Sequence, residues 1–310
     1  MKTFLILLTA SVLNGTAAII DHTYIDEVAG YSQSLLNGIG TQRWLFTHAS
    51  VGGNMIDGIN ALHSENATRY QWISASVGYN GGALRAADPP TPTVAGRIYE
   101  CNRGNPGWQE KFTIFSNSVA TAGWHYSAVD AMMDKLCYID PDANPTNYVA
   151  LMAVLETAYP ATKFVYIAIP LTTDSDADNA RRNAYNRFVR QYCATHGTLM
   201  FDLADMEAHD TNGVAQTFVY GGVTNQKLWD GYTDDGGHLN ALGQRRAALG
   251  WYAVGAQFAV PEPVIGIVML FFFLWRRVWH GMHFNADSCW SVAIAAGRPR
   301  VGRRLAATAA

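Results

Sequence analysis

The run Phe164-Val165-Tyr166-Ile167-Ala168-Ile169 limits the fold more than any other part of the chain. It is apolar throughout and rich in β-branched and aromatic residues, so it reads as a strand buried on both faces. Helical patterns stand on either side of it. Tyr148 to Tyr159 puts Leu151, Val154 and Leu155 at helical spacing before Pro160 stops it, and a charged helix runs from Ala177 to about Ala194. Arg43-Trp44-Leu45-Phe46-Thr47 and Leu199-Met200-Phe201 read as further strands, residues 69–77 as another, and the stretch 128–139 holds a buried one. Residues 55–62, 108–115 and 240–258 read as helices, and residues 80–95, rich in Gly and Pro, as loop. Strands that alternate with helices imply an α/β fold with a central parallel sheet covered on both faces. Ligands of such sheets lie at the carboxyl ends of the strands. No glycine-rich dinucleotide or phosphate loop opens any of these helices.

The two ends have a different character from this body. Met1-Lys2 leads into Phe4-Leu5-Ile6-Leu7-Leu8 and then into small residues up to Ala17-Ala18, the parts of a secretory signal peptide over 1–18. Export is the expectation. At the other end Val260-Pro261-Glu262-Pro263 precedes the uncharged stretch 264–275 and then Arg276-Arg277. That stretch is shorter than the ~20 residues needed to span a bilayer. Its order of parts resembles the PEP-CTERM sorting signal of Gram-negative bacteria over 260–277. The resemblance implies a transient inner-membrane anchor, processing by an exosortase, and delivery to the cell surface or beyond. Residues 278–310 read as an unstructured extension. Charge divides along the same line: residues 1–275 carry a net of −8 and residues 276–310 a net of +5, summing to the −3 of the chain. A balance of −3 gives no global field for nucleic acid.

Two loops of the 19–259 body carry residues suited to chemistry. His48-Ala49-Ser50-Val51-Gly52-Gly53-Asn54 joins the first strand to the first helix, where a serine is held on a turn beside helix-start N–H groups. Asp234-Asp235-Gly236-Gly237-His238-Leu239-Asn240 precedes the last helix, and its Asp-x-x-His spacing lets a carboxylate orient an imidazole. Ala75-Ser76-Val77-Gly78-Tyr79-Asn80 nearly repeats the serine loop, but Gly81-Gly82 and Pro89-Pro90 follow it where a helix would be needed, so Ser50 is favoured over Ser76. The histidines 22, 48, 63, 125, 196 and 209 lack an aspartate at this spacing, and His48 stands as either a substrate contact or a turn filler. Of the four cysteines three lie in the body, so at least one is unpaired. No cysteine pair has metal-ligand spacing and there is no His-Glu-x-x-His, so neither metal nor cofactor is expected.

An early serine turn and a late Asp-x-x-His in an exported α/β chain resemble the SGNH (GDSL-type) hydrolases over roughly residues 40–255. The resemblance implies a three-layer, flavodoxin-like sandwich with Ser50 as nucleophile, His238 as general base and Asp235 as its partner. Gly104, in Arg103-Gly104-Asn105-Pro106, matches the glycine that offers an oxyanion N–H together with that of Ser50. Two family elements differ: Gly-Asp-Ser is His48-Ala49-Ser50 here, and Cys137-Tyr138-Ile139-Asp140 stands where Gly-x-Asn-Asp belongs. The remaining oxyanion donor is then Asn105 or Asn54, with Asn105 favoured and Asn54 expected to cap the helix beginning at Met55. The implied activity is ester hydrolysis through an acyl-enzyme, and the sorting segment points to acetylated polysaccharide as substrate. The altered elements leave open a non-catalytic glycan-binding protein on the same scaffold. Trp72, Tyr79, Trp108, Trp124 and Tyr232 are candidates to line a sugar cleft or to fill the core.

Overall fold

A computed structural model describes residues 19–121, 123–125 and 128–259. The expected leader 1–18, the expected sorting segment 260–277 and the expected extension 278–310 lie outside the described residues. In chain order the strands are β1 (Ile19–Ile20), β2 (Trp44–His48), β3 (Ile73–Ser76), β4 (Tyr79–Asn80), β5 (Arg85–Ala86), β6 (Arg97–Asn102), β7 (Ala131–Asp134), β8 (Lys163–Phe164), β9 (Tyr166–Ile167), β10 (Met200–Phe201), β11 (Thr217–Tyr220) and β12 (Val223–Gln226). The helices are α1 (Thr23–Glu27), α2 (Gln33–Gly40), α3 (Val51–Glu65), α4 (Trp108–Ala120), α5 (Pro145–Ala158), α6 (Ala177–His196), α7 (Leu203–Ala208) and α8 (Ala241–Ala256).

All pairings in the central layer are parallel, in the orders β3-β6-β2-β7-β8 and β1-β10-β9. β8 and β9 are halves of one extended stretch interrupted at Val165, whose N–H still reaches Met132 O at 3.0 Å. The expected α/β architecture with a central parallel sheet is therefore present. Helices α4, α5 and α6 pack as neighbours, while α1, α2, α3 and α7 gather around α8. Trp44 of β2 meets Trp72 and Trp251 edge-on, with ring centres 5.6 and 5.4 Å apart, and all three are fully buried. These contacts fasten α8 to the middle of the sheet. From β2 the chain builds outward to β3, returns to β6 beside β2, then crosses to β7 on the other side. That reversal makes the carboxyl end of β2 the switch point, where a crevice opens between diverging connections.

Several local expectations change. Residues 80–95 contain the hairpin β4–β5 rather than loop alone. Helix α3 begins at Val51, not Met55, so Asn54 lies inside it and caps nothing. In α5 the buried side is made by Tyr148, Val149, Met152 and Leu155, and Val154 faces solvent. Trp72, Trp124 and Tyr232 are core residues, which removes them from any sugar cleft, while Tyr79 and Trp108 remain partly exposed. Cys101, Cys137 and Cys193 are all buried free thiols. Among the described residues no helix is long and apolar enough to cross a membrane.

Candidate active site

Ser50 stands between the end of β2 and the start of α3 with φ 54° and ψ −119°. A positive φ is costly for a residue with a Cβ and persists only where the surroundings impose it. The imposing contacts lie directly beneath. A Cβ on Gly52 would come within 2.4 Å of His48 Cβ, so only glycine lets the helix begin this close to the strand. Ser50 occupies the N-cap position, yet its hydroxyl makes no capping bond. It pairs with His238 Nε2 at 2.7 Å.

His238 is held from the other side. Its Nδ1 meets Asp235 Oδ2 at 2.7 Å, and Asp235 Oδ1 accepts the N–H groups of His238 and Gly237 at 2.8 and 2.9 Å. Those two backbone donors, with the imidazole, hold the Asp235 carboxyl well below the usual carboxylate range. It stays ionised and faces Nδ1, so a proton arriving at Nε2 is electrostatically welcome. Asn54 Oδ1 accepts the N–H of Leu239 at 3.1 Å, tying the histidine loop to the helix that carries Ser50. The ring of Tyr138 meets that of His238 edge-on, 5.5 Å between centres.

The neighbouring strand ends are stitched together by buried charge. Arg103, after β6, donates from Nη2 to Asp134 Oδ1 at 2.9 Å and to Lys135 O at 2.8 Å, while Thr47 Oγ1 donates to the same carboxylate at 2.6 Å. This fixes the Arg103-Gly104-Asn105 loop beside the serine turn. Gly104 has φ +71°, and its N–H donates to Asn102 Oδ1 at 3.1 Å. Asn105 is exposed. Cys137 and Tyr138, after β7, stand beside the Ser50 side chain. Burial is the strongest influence on the Cys137 thiol and pushes it up, but the nearby charges of Lys135 and Lys111, with the neighbouring Ser50 and Ile139 groups, together bring it below the ordinary thiol value. Asp140 accepts the Cys137 N–H at 2.8 Å and pairs with buried Lys111 at 2.5 Å, holding this turn in place.

His48 is buried, with Nε2 2.8 Å from Glu100 Oε2 and its ring stacked on Phe46. Burial lowers its pKa despite the pull of Glu100. It therefore supports the turn from below. Ser76 lies near the same Glu100 and is followed by β4 instead of a helix, unlike Ser50. His22 and His209 likewise have a carboxylate, Asp205, although no Asp-x-x-His spacing marks either. The structure thus brings Ser50, His238 and Asp235 into one hydrogen-bonded line at the switch point. The contacts of Asn54, Cys137, Tyr138 and Glu100 had no local motif to announce them.

No protein-family model matches the sequence, and no curated protein does. Among solved structures, a GDSL-like lipase from Bacteroides thetaiotaomicron aligns at 12% identity and TM-score 0.43, covering 76% of this chain and 97% of its own. A catalytic mutant of an acetylxylan esterase from Geobacillus stearothermophilus aligns at 9% identity and TM-score 0.42, covering 69% and 94%. Both likenesses concern chain path alone.

Proposed function

We propose that the protein is a serine ester hydrolase of the SGNH type, with Ser50 as nucleophile, His238 as general base and Asp235 as its partner. The observation that carries this reading is the continuous line from Ser50 Oγ through both imidazole nitrogens to Asp235, each link 2.7 Å long. A serine hydroxyl is a weak nucleophile until an oriented base can take its proton. As Ser50 Oγ bonds to the ester carbonyl carbon, its proton passes to His238 Nε2, and Asp235 stabilises the resulting imidazolium. The tetrahedral intermediate collapses, the ester C–O bond breaks, and the proton passes from Nε2 to the leaving alkoxide. Water then repeats the sequence on the acyl-serine and releases the acid.

The developing oxyanion falls at the amino end of α3, where the Ser50 N–H is available, beside the Gly104 loop. Using Gly104 requires its N–H to leave Asn102 Oδ1, and Asn105, exposed on the same loop, can swing in as a further donor. The substrate class is an acyl ester, with acetylated polysaccharide the natural case for a chain exported by its 1–18 leader and anchored transiently through 260–277. The test is fluorophosphonate labelling of the protein with mapping of the modified residue, alongside turnover of a simple acetyl ester. Label on Ser50, abolished together with turnover in Ser50→Ala, is the expected result. Label on Ser76 would move the nucleophile to that loop and overturn the role of Ser50, whereas glycan binding with neither label nor turnover would replace this reading with that of a binding scaffold.

A further inference from the structure

Away from the Ser50 line, the parallel pairing of β1 with β10 brings two distant stretches of chain together. The register pairs Ile20 with Phe201, so His22 follows the end of β1 next to the start of α7, which follows β10. Asp205 lies in α7 and His209 just after it, four residues apart and thus on one side of the turn. The result is a cluster of two imidazoles and one carboxylate whose ligand atoms all lie within 4.8 Å of one another. The rings of His22 and His209 stack, 3.5 Å between centres and 11° between planes. His22 Nδ1 makes a short contact with Asp205 Oδ1, while His209 Nδ1 lies 2.7 Å from the Asp205 backbone oxygen and 3.4 Å from Oδ1. Asp205 is itself oriented, since Gln226 Nε2 donates to its other oxygen at 2.9 Å.

We infer that His22, Asp205 and His209 form a binding site for a divalent transition-metal ion of the zinc class. Two neutral imidazoles and a carboxylate are a donor set that such ions prefer over calcium or magnesium, which take oxygen ligands. Ligand bonds of about 2.0–2.2 Å to one ion require the His22–Asp205 pair to part and the stacked rings to open, so that the ion replaces the proton they now share. Gln226 supplies the supporting hydrogen bond that metal-ligating carboxylates require. The cluster is partly buried, with side-chain exposures of 21% for His22, 16% for Asp205 and 11% for His209. Asp205 also borders a polar groove shared with Asp21, Arg190 and Gln226, so the carboxylate is reached from solvent. The effect is structural: the ion joins the start of the described chain, where β1 is a two-residue edge strand, to α7. Neither Ser50 nor His238 takes part, so this site stands or falls independently of the esterase reading.

The test is calorimetric titration of zinc chloride into the metal-free, untagged protein, with thermal unfolding followed with and without the ion. One zinc per chain and a raised unfolding temperature are expected. His22→Gln and His209→Gln should each weaken binding by more than about tenfold, the scale seen even when only a supporting residue of a metal site is lost. Their zinc-free unfolding temperatures check that the fold survives the change. Cobalt in place of zinc should give a visible spectrum without a thiolate charge-transfer band, which excludes the three buried cysteines as ligands. No saturable binding, undiminished affinity in both variants, or a thiolate band would each overturn the site.

Discussion

Asn54 sits three residues beyond Val51 inside α3, yet its carboxamide oxygen serves another loop entirely. By accepting the Leu239 N–H at 3.1 Å it sets the distance between the helix carrying Ser50 and the loop carrying His238. For the proposed Ser50–His238 pair it is a positioning residue. Asn54→Ala should lower acetyl-ester turnover by between about tenfold and 10²-fold, the range that a misplacement of about 1 Å produces. Asn54→Asp retains an acceptor oxygen and should recover most of the loss. If Asn54→Ala turns over at the original rate, the loop is held by other means and this role is wrong. Ser50, Asp235 and His238 were legible because each stands in a short local pattern. Asn54 was read as a cap because capping is the commonest local duty of asparagine. Its partner is 185 residues away, and no local pattern records that.

Helix α3 starts earlier than its composition suggests, because Val51-Gly52-Gly53-Asn54 looks like turn when read alone. The glycines are there for contact. Gly52 admits the His48 side chain, and a Cβ on Gly58 would stand 2.1 Å from the backbone oxygen of Gln244 in α8. In an open helix Gly→Ala stabilises by about 1 kcal/mol. At Gly58 the sign should reverse: Gly58→Ala must push α3 away from α8 and should destabilise by about 1–3 kcal/mol, the usual cost of overpacking. A lowered denaturant midpoint with an unchanged slope is the expected observation. An equal or raised midpoint would show that the two helices do not approach as described. Because α8 directly follows the His238 loop, turnover should fall with stability in the same variant. The helices α5, α6 and α8 were legible because each is marked within its own stretch, α5 by apolar spacing before Pro160 and α6 by its charged residues. Val154 shares the helical spacing of α5 yet faces solvent, because spacing alone does not say which of two adjacent apolar stripes is buried.

Across the molecule, the sheet's carboxyl side holds an unusual amount of buried charge. Arg103 pairs with Asp134 and Lys111 with Asp140, whereas fully buried Lys135 donates to the carbonyl of Leu136 and Glu207 accepts the N–H of Leu171. Burial lowers Lys135 to about 8 and raises Glu207 to about 8. Between the ordinary carboxyl value of 4.5 and about 8, folded Glu207 keeps a proton that the unfolded chain has released. Stability therefore falls as pH rises through that window. Between about 8 and 10.5 unfolded Lys135 binds the extra proton, so its contribution makes stability rise again with pH. Unfolding temperature measured against pH should dip near pH 8, and Glu207→Gln should flatten the descending side. A Glu207→Gln profile that descends as steeply as the original would remove Glu207 as the cause.

The sequence by itself determined the alternation of strands and helices, the serine turn and the Asp-x-x-His loop, because each is encoded within a few neighbouring residues. Hydrophobic period and turn chemistry act over that range, and a parallel α/β sheet follows from them. Only the tertiary structure decided what those pieces meet. It turned Asn54 toward Leu239 and laid His48 on Glu100 beneath the turn. It also gathered His22, Asp205 and His209 from opposite ends of the body. A parallel strand pair joins residues far apart in the chain, so the contacts at its carboxyl end depend on register and crossover, which no local stretch of sequence contains.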